Sequence, residues 1–419
     1  MHILICRTYY STGRHASPGD DGRQVFMEWQ PYIDRYEHEL LDNVIPFWQQ
    51  HCIDREYGGF FTSLDRDGAV YDTTKYMWMQ WRIVYMFAVL YQSRYGRGRE
   101  DWLKIAMDGF DFLREHGRLD DGSYYFALNR QGVPAVCNYN IYSNCFATLG
   151  SAALYAATGK DKYRDEAVSA MENYISRLDN PKGRYEKTLS GHTRYWTHSN
   201  FMMLANLGTV VGEMLKTDRY EEECRMAIMT VMDKFFNEKL QAVFENVLPN
   251  GGFDLDSCEG RMLNPGHGLE SMWFVMDYAE KHGDRELIRR AVHNVDAQFR
   301  LGLDREYGGI FYFMDALGKP HLELQHDMKL WWVHNEATIA SLYAYRLSGE
   351  RKYLNYFKLI DEYSFSHFRD PEYGEWFAYL NRRGEPTHLL KGGKWKTFFH
   401  LPRMLLTSLN QMYLLKGAK

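Results

Sequence analysis

Asp304-Arg-Glu-Tyr-Gly-Gly-Ile310 decides the fold of this chain, because the phrase recurs. It stands again at Asp54-Arg-Glu-Tyr-Gly-Gly-Phe60 and, varied, at Asp370-Pro-Glu-Tyr-Gly-Glu-Trp376. Each copy runs into alternating aromatic residues and then a turn: Asp65-Arg-Asp-Gly68, Asp315-Ala-Leu-Gly318 and Asn381-Arg-Arg-Gly384. Weaker copies sit at Asp120-Asp-Gly-Ser-Tyr-Tyr-Phe126, at Asp179-Asn-Pro-Lys-Gly-Arg-Tyr185, and at Phe244-Glu-Asn246 before Asn250-Gly251. The copies lie roughly 60 residues apart, and a fixed period marks a repeat architecture. Aromatic alternation closed by Asp or Asn and Gly reads as a β-hairpin, so six repeats predict six hairpins.

Between the hairpins, apolar residues recur at helical spacing. The pattern predicts twelve helices, near 29–50, 73–95, 101–117, 141–158, 162–177, 197–215, 219–236, 267–283, 285–300, 332–348, 351–368 and 395–415. Turns such as Thr158-Gly-Lys-Asp161 and Ser348-Gly-Glu-Arg351 are short, which makes consecutive helices antiparallel neighbours. Six helix pairs can form an open superhelix or a closed toroid, an inner ring of even-numbered helices within an outer ring. Closure is the better reading. An open solenoid needs polar capping repeats, and the last segment is as apolar as the middle ones. The hairpins then share one rim, where the inner helices begin.

Residues 1–27 are polar and Gly-rich, and read as an N-terminal extension or as sequence upstream of a start at Met27. Residues 28–419 read as one domain, with no linker-like stretch to divide them. A net charge of −5 with interspersed signs argues against a nucleic-acid surface. No apolar run approaches the ~20 residues of a membrane helix, and the first residues are too short for a signal sequence. The six cysteines show no paired or ligand spacing, which fits reduced thiols in a cytoplasmic protein.

Polar residues near the starts of inner helices would converge on one cavity. Asn264-Pro-Gly-His-Gly-Leu-Glu270 opens the eighth helix and carries His267; capping a turn is the alternative for that ring, but the phrase is too specific for it to come first. His400 lies in the opening turns of the twelfth helix, where a core histidine is the ordinary reading. In the tenth helix, Glu336 lies four residues after Trp332 and shares its face. Arg82, in Trp78-Met-Gln-Trp-Arg82, is equally costly to bury, and an Arg–Glu pair would account for both. His321 and His326 lack metal-ligand spacing, so no metal is expected. There is neither a phosphate-binding Gly-rich loop nor a nucleophile-elbow serine.

These residues resemble the N-acylglucosamine 2-epimerase family, also called renin-binding proteins. The resemblance runs from about Glu28 to Leu415. It rests on Trp78–Arg82, Cys258-Glu-Gly-Arg261, Asn264–Gly268, Met272-Trp-Phe274, Asp304–Gly309, Lys329-Leu-Trp-Trp-Val-His334 and Asp370–Trp376. It implies an all-α (α/α)6 barrel with hairpins at one rim, and an isomerase interconverting N-acetylglucosamine and N-acetylmannosamine. It implies no required cofactor, a homodimer, and in some members stimulation by ATP. The loop Asp179–Lys187 is similar to a basic loop of ATP-stimulated members, although a solvated charged turn is the simpler reading.

The resemblance puts the catalytic pair on His267 and His400, one histidine per face of C2. Arg82 and Glu336 support them, and Glu270 and Trp332 complete the expected substrate contacts. Relatives that epimerise cellobiose carry a further histidine on the sixth helix, where this chain has Phe201, with His198 three residues earlier. An epimerase or aldose–ketose isomerase of unacetylated sugars, a non-catalytic binding barrel, and a glycosidase using Glu270 and Glu336 are the alternatives.

Overall fold

The computed structural model describes residues 28–189, 192 and 194–417. The expected extension over 1–27, with Cys6, lies outside the described residues. The chain forms an (α/α)6 barrel. Helix α1 runs through Gln30–His38, a π turn Glu39–Val44 and Ile45–His51. Then come α2 Met77–Gln92, α3 Glu100–Gly117, α4 Tyr142–Thr158, α5 Asp161–Ser176 and α6 His198–Leu215. Next are α7 Glu221–Thr230, which ends in a π turn Val231–Phe235, α8 Pro265–Lys281 and α9 Arg285–Gly302. Helices α10 Trp331–Ser348, α11 Arg351–His367 and α12 His400–Gly417 complete the ring.

The even-numbered helices are inner. In α10 every residue from Trp331 to Ala344 is buried, whereas α9 buries one stripe and turns Arg285, Arg289 and Arg300 outward. A helix apolar all round belongs inside, and an amphipathic one belongs at the surface. Aromatic residues fill the space between the rings. Trp81 of α2 meets Phe110 of α3 edge-on at 5.6 Å and Tyr124 at 5.4 Å.

The repeated phrase builds the rim. In each clear copy the Asp carboxylate accepts backbone N–H bonds two and three residues on, or two on, as at Glu56, Tyr57, Glu306 and Glu372. The following Gly58, Gly59, Gly308 and Gly309 all have positive φ, which any side chain would strain. In the third copy Glu375 takes this left-handed position at φ 54. Its buried carboxylate accepts bonds from Trp48 Nε1 and Lys396 Nζ, both at 2.6 Å.

Each Asp also clamps the next repeat. Asp54 holds buried Lys75 at 3.0 Å and Arg130 at 3.1 Å. Asp304 holds Lys329 and Arg382, both at 2.9 Å. Asp370 holds Lys391 and Arg66, both at 2.8 Å. Arg66 belongs to the first hairpin and Asp370 to the last, so the third clamp closes the ring. At the other end of the seam Glu37 of α1 accepts from Tyr413 of α12 at 2.6 Å.

Two expectations need correction. The third repeat forms no hairpin among its described residues. Its segment makes a tight turn at Gly183–Tyr185, and Trp196–Thr197 keeps only the pairing with the next repeat, at Asn246–Val247, that Lys75–Tyr76 makes with Ala127–Leu128. The alternating aromatics that make the other hairpins are missing there, and the Glu186 carboxylate folds back onto Lys187 N and Thr188 N, both at 2.8 Å. The twelfth helix begins at His400, not near 395. The residues before it are held as a loop by buried Lys396, whose Nζ donates to the carbonyls of Trp376 and Lys391 at 2.7 and 2.8 Å.

Candidate active site

A cavity of about 880 Å³ opens at the hairpin rim. Arg82, His267, Glu270, Trp332 and His400 line it, with Trp78, Tyr142, Phe146 and Phe399 among the aromatic wall. The helix starts place these groups. Asn264 caps α8 by accepting the backbone N–H of His267 at 3.2 Å, and Pro265 takes the first helical position, where a missing N–H costs nothing. Gly266 follows because a Cβ there would meet the Trp332 ring at 2.8 Å. The motif therefore sets His267 against Trp332, with ring centroids 5.0 Å apart. His400, the first residue of α12, meets the same indole at 5.8 Å.

Each histidine leans on a buried carboxylate. Glu245 approaches His267 Nδ1 at 2.9 and 3.0 Å. Glu336 approaches His400 Nδ1 at 2.8 Å. A carboxylate only accepts, so Nδ1 carries the proton in both rings and Nε2 is left toward the cavity. The proton affinities diverge. Burial drives the His400 pKa well below the ordinary value, and the Arg403 and Arg82 guanidiniums push the same way. Burial would also lower His267, but the Glu245 carboxylate outweighs it and raises that pKa. Groups whose environments pull them apart in this way divide acid and base roles between them.

Below the histidines runs a belt of buried charge. Arg82, Glu270 and Glu336 are each the sixth residue of their helix, α2, α8 and α10, and Arg403 is the fourth of α12. Arg403 Nη2 donates to Glu270 at 2.6 Å and to Glu336 at 2.7 Å. Trp273 Nε1 donates to the other Glu336 oxygen at 2.8 Å. Arg82 has no ion pair among the described residues. Its guanidinium lies among Phe146, Phe399 and Trp78, at 4.0, 4.8 and 4.8 Å from the ring centroids. Burial lowers its pKa to about 9, which leaves it charged at neutral pH.

Several sequence expectations change here. Glu336, expected to touch substrate, does not line the cavity. It is wholly buried behind His400 and spends its oxygens on His400, Trp273 and Arg403. The expected Arg82–Glu336 pair is replaced by Arg403–Glu336. Glu270 and Glu336 share one guanidinium and only Glu270 lines the cavity, so they do not face each other across it as glycosidase carboxylates do. His334 is structural. Its Nδ1 donates to the Leu330 carbonyl at 2.7 Å and its Nε2 accepts from Ile310 N at 3.0 Å. His198 is fully buried beneath His267 and does not line the cavity. Sequence reasoning missed Glu245 and Arg403. Glu245 had a signal, an acid inside an otherwise apolar hairpin phrase. Arg403 had only its place one turn after His400.

Among the described residues no helix is long and apolar enough to cross a membrane. The family model of N-acylglucosamine 2-epimerase (GlcNAc 2-epimerase) matches residues 59–403. The chain is 41% identical over 389 residues to N-acylglucosamine 2-epimerase of Rattus norvegicus, covering 91% of both chains. It is 40% identical over 392 residues to that of Mus musculus, again covering 91% of both. The solved structure of cellobiose 2-epimerase from Spirochaeta thermophila superposes with a TM-score of 0.79 at 20% identity, over 93% of this chain and 98% of that one, a likeness of fold. The barrel, its rim and the match across most of its length together place this chain in the N-acylglucosamine 2-epimerase family.

Proposed function

We propose that the protein is a sugar 2-epimerase, an isomerase that interconverts N-acetylglucosamine and N-acetylmannosamine. One observation carries the mechanism: two carboxylate-backed histidines with opposed proton affinities, both set against Trp332. The similarity to N-acylglucosamine 2-epimerases supports the choice of sugar.

The substrate reacts in its ring-opened form, where the C1 carbonyl acidifies the C2 hydrogen. In the resting site His400 is neutral and its Nε2 takes that proton. The C2–H bond breaks, its electrons form the C1–C2 double bond, and the carbonyl pair moves onto O1. Arg82, a fixed cation without a carboxylate partner among the described residues, stabilises the oxyanion so formed. His267, held as imidazolium by Glu245, returns a proton to the other face of C2, and the carbonyl reforms. The two rings have then exchanged charge states, which is the starting state for the reverse direction. Glu336 and Glu245 hold the rings by Nδ1 and compensate the charge each carries in turn. Trp332 offers a flat face to the sugar.

This chemistry moves only protons, so it requires no redox cofactor, and ATP enters the reading only as an allosteric activator. The reading also takes the protein as a cytoplasmic homodimer. The described cysteines are all free thiols and Cys52, Cys145 and Cys224 are buried, which supports the compartment. Light scattering reads the oligomer.

The test is incubation of the purified protein with N-acetylglucosamine, glucose, mannose and cellobiose, with products separated by chromatography. Conversion of N-acetylglucosamine to its C2 epimer is expected. Conversion of the unacetylated sugars alone overturns the assignment.

A further inference from the structure

The histidine buried beneath His267 has no role in this mechanism. His198, the first residue of α6, is fully buried, and among the described residues neither of its ring nitrogens has a hydrogen-bond partner. Its backbone N–H donates to the Glu245 carbonyl at 2.8 Å, which pins the helix start to the bend that carries Glu245. Its Nδ1 lies 3.8 Å from Glu245 Oε1, and its ring centroid 6.4 Å from that of His267. Ligand atoms of His198, Glu245 and His267 all fall within 4.8 Å of one another.

We infer that His198, Glu245 and His267 form a divalent-cation site, best suited to zinc, whose occupation switches the enzyme off. Two imidazoles and a carboxylate with a fourth position open to solvent is a donor set zinc accepts. Ligand bonds of ~2.0–2.2 Å put the donors of a tetrahedral site roughly 3.4 Å apart, within reach of side-chain adjustment here.

The neighbouring cluster of Glu270, Glu336 and His400 shows the contrast. There the Arg403 guanidinium already bridges the two carboxylates. At Glu245 the only side chains paired with the carboxylate, among the described residues, are the two histidines. The position a cation would take is filled by a guanidinium at one cluster and left to two histidine rings at the other.

Inhibition follows from the proton count and rests on the two-histidine reading above. A metal binding His267 at Nδ1 displaces the proton from that nitrogen to solvent and breaks the contact with Glu245. The metal-bound ring keeps its single proton on Nε2 and no longer cycles between imidazole and imidazolium, so it neither accepts a proton from C2 nor holds the charge left by giving one.

The test is titration of the metal-stripped full chain with zinc chloride, by calorimetry for binding and in parallel by epimerase assay. One site is expected, with inhibition that tracks its occupancy and is reversed by EDTA. His198→Phe is expected to keep metal-free activity and melting temperature while weakening both binding and inhibition at least tenfold. Should the phenylalanine disturb folding, His198→Gln, a smaller and poorer ligand, is expected to do the same. No binding, or zinc binding and inhibition unchanged in the folded variant, overturns the site. Binding that depends on His198 but leaves activity untouched overturns the switch. Calorimetry reads the site even if the chain epimerises no sugar, so failure of the functional reading is told apart from failure of this one.

Discussion

Glu245 does for His267 what Glu336 does for His400, and the two carboxylates leave their histidines in opposite charge states. The difference comes from the neighbours. Glu336 already accepts from Arg403 and Trp273, whereas Glu245 gives its charge to His267. Two predictions belong to these residues. Glu245→Gln removes the charge that raises His267, so that pKa falls and the acid is lost near neutrality. We expect kcat to drop by about 10²-fold, the lower end of what acid–base catalysis contributes, with unchanged melting temperature. A variant of near wild-type kcat contradicts the role given to Glu245. The pH profile of kcat/KM should be a bell. Its acid limb falls as His400 gains a proton, through a pKa well below 6.5 because that pKa is lowered. Its alkaline limb falls as His267 loses one, through a pKa above 6.5 because that one is raised. The overall reaction takes up no proton, so both directions should share the profile, and initial rates from either sugar across pH measure it.

At the scale of elements, the rim clamps explain what the repeated phrase is for. Removing the Asp304 carboxylate leaves buried Lys329 without its counter-charge. Asp304→Asn should therefore cost about 3–5 kcal/mol in urea unfolding, and Lys329→Met in the same chain should restore part of it. Equal losses in the single and double variants contradict the clamp. Burial acts oppositely on the partners, lowering Lys329 to about 8 and tending to raise Asp304, yet Arg382 and Lys329 outweigh it and hold the Asp304 carboxyl far below its usual range. A carboxylate depressed in the fold contributes stability above its unfolded pKa of ~3.9 and loses it as pH falls toward the folded value. What was legible in the sequence follows the same scale. Helix number, the hairpin phrase and the Asn264–Gly268 cap are local codes, readable from spacing and turn chemistry. Glu245 is 22 residues from His267, and Arg403 is 67 from Glu336, so neither partnership has a local pattern. The missing third hairpin was the reverse case: a weak copy of the phrase without the aromatics that make it fold.

For the whole molecule, closure is the claim that makes one cavity out of residues from α2, α8, α10 and α12. The Arg66–Asp370 clamp spans the seam between last and first repeats with the same geometry as Arg382–Asp304 inside the ring. Arg66→Ala and Arg382→Ala should accordingly lower the melting temperature by similar amounts; a far larger loss at Arg66 would mark the seam as a weak point, not an equivalent joint. The central claim is that the closed ring presents two histidines to the two faces of C2. Exchange of the C2 hydrogen with D2O, followed by NMR from each epimer separately, tests it most directly. His267→Asn and His400→Asn should each lose epimerisation by ~10²–10⁴-fold. Each should still exchange the C2 hydrogen of one sugar, a different one for each variant. Near wild-type epimerisation in both variants, or the same exchange pattern from both, would contradict the two-histidine mechanism.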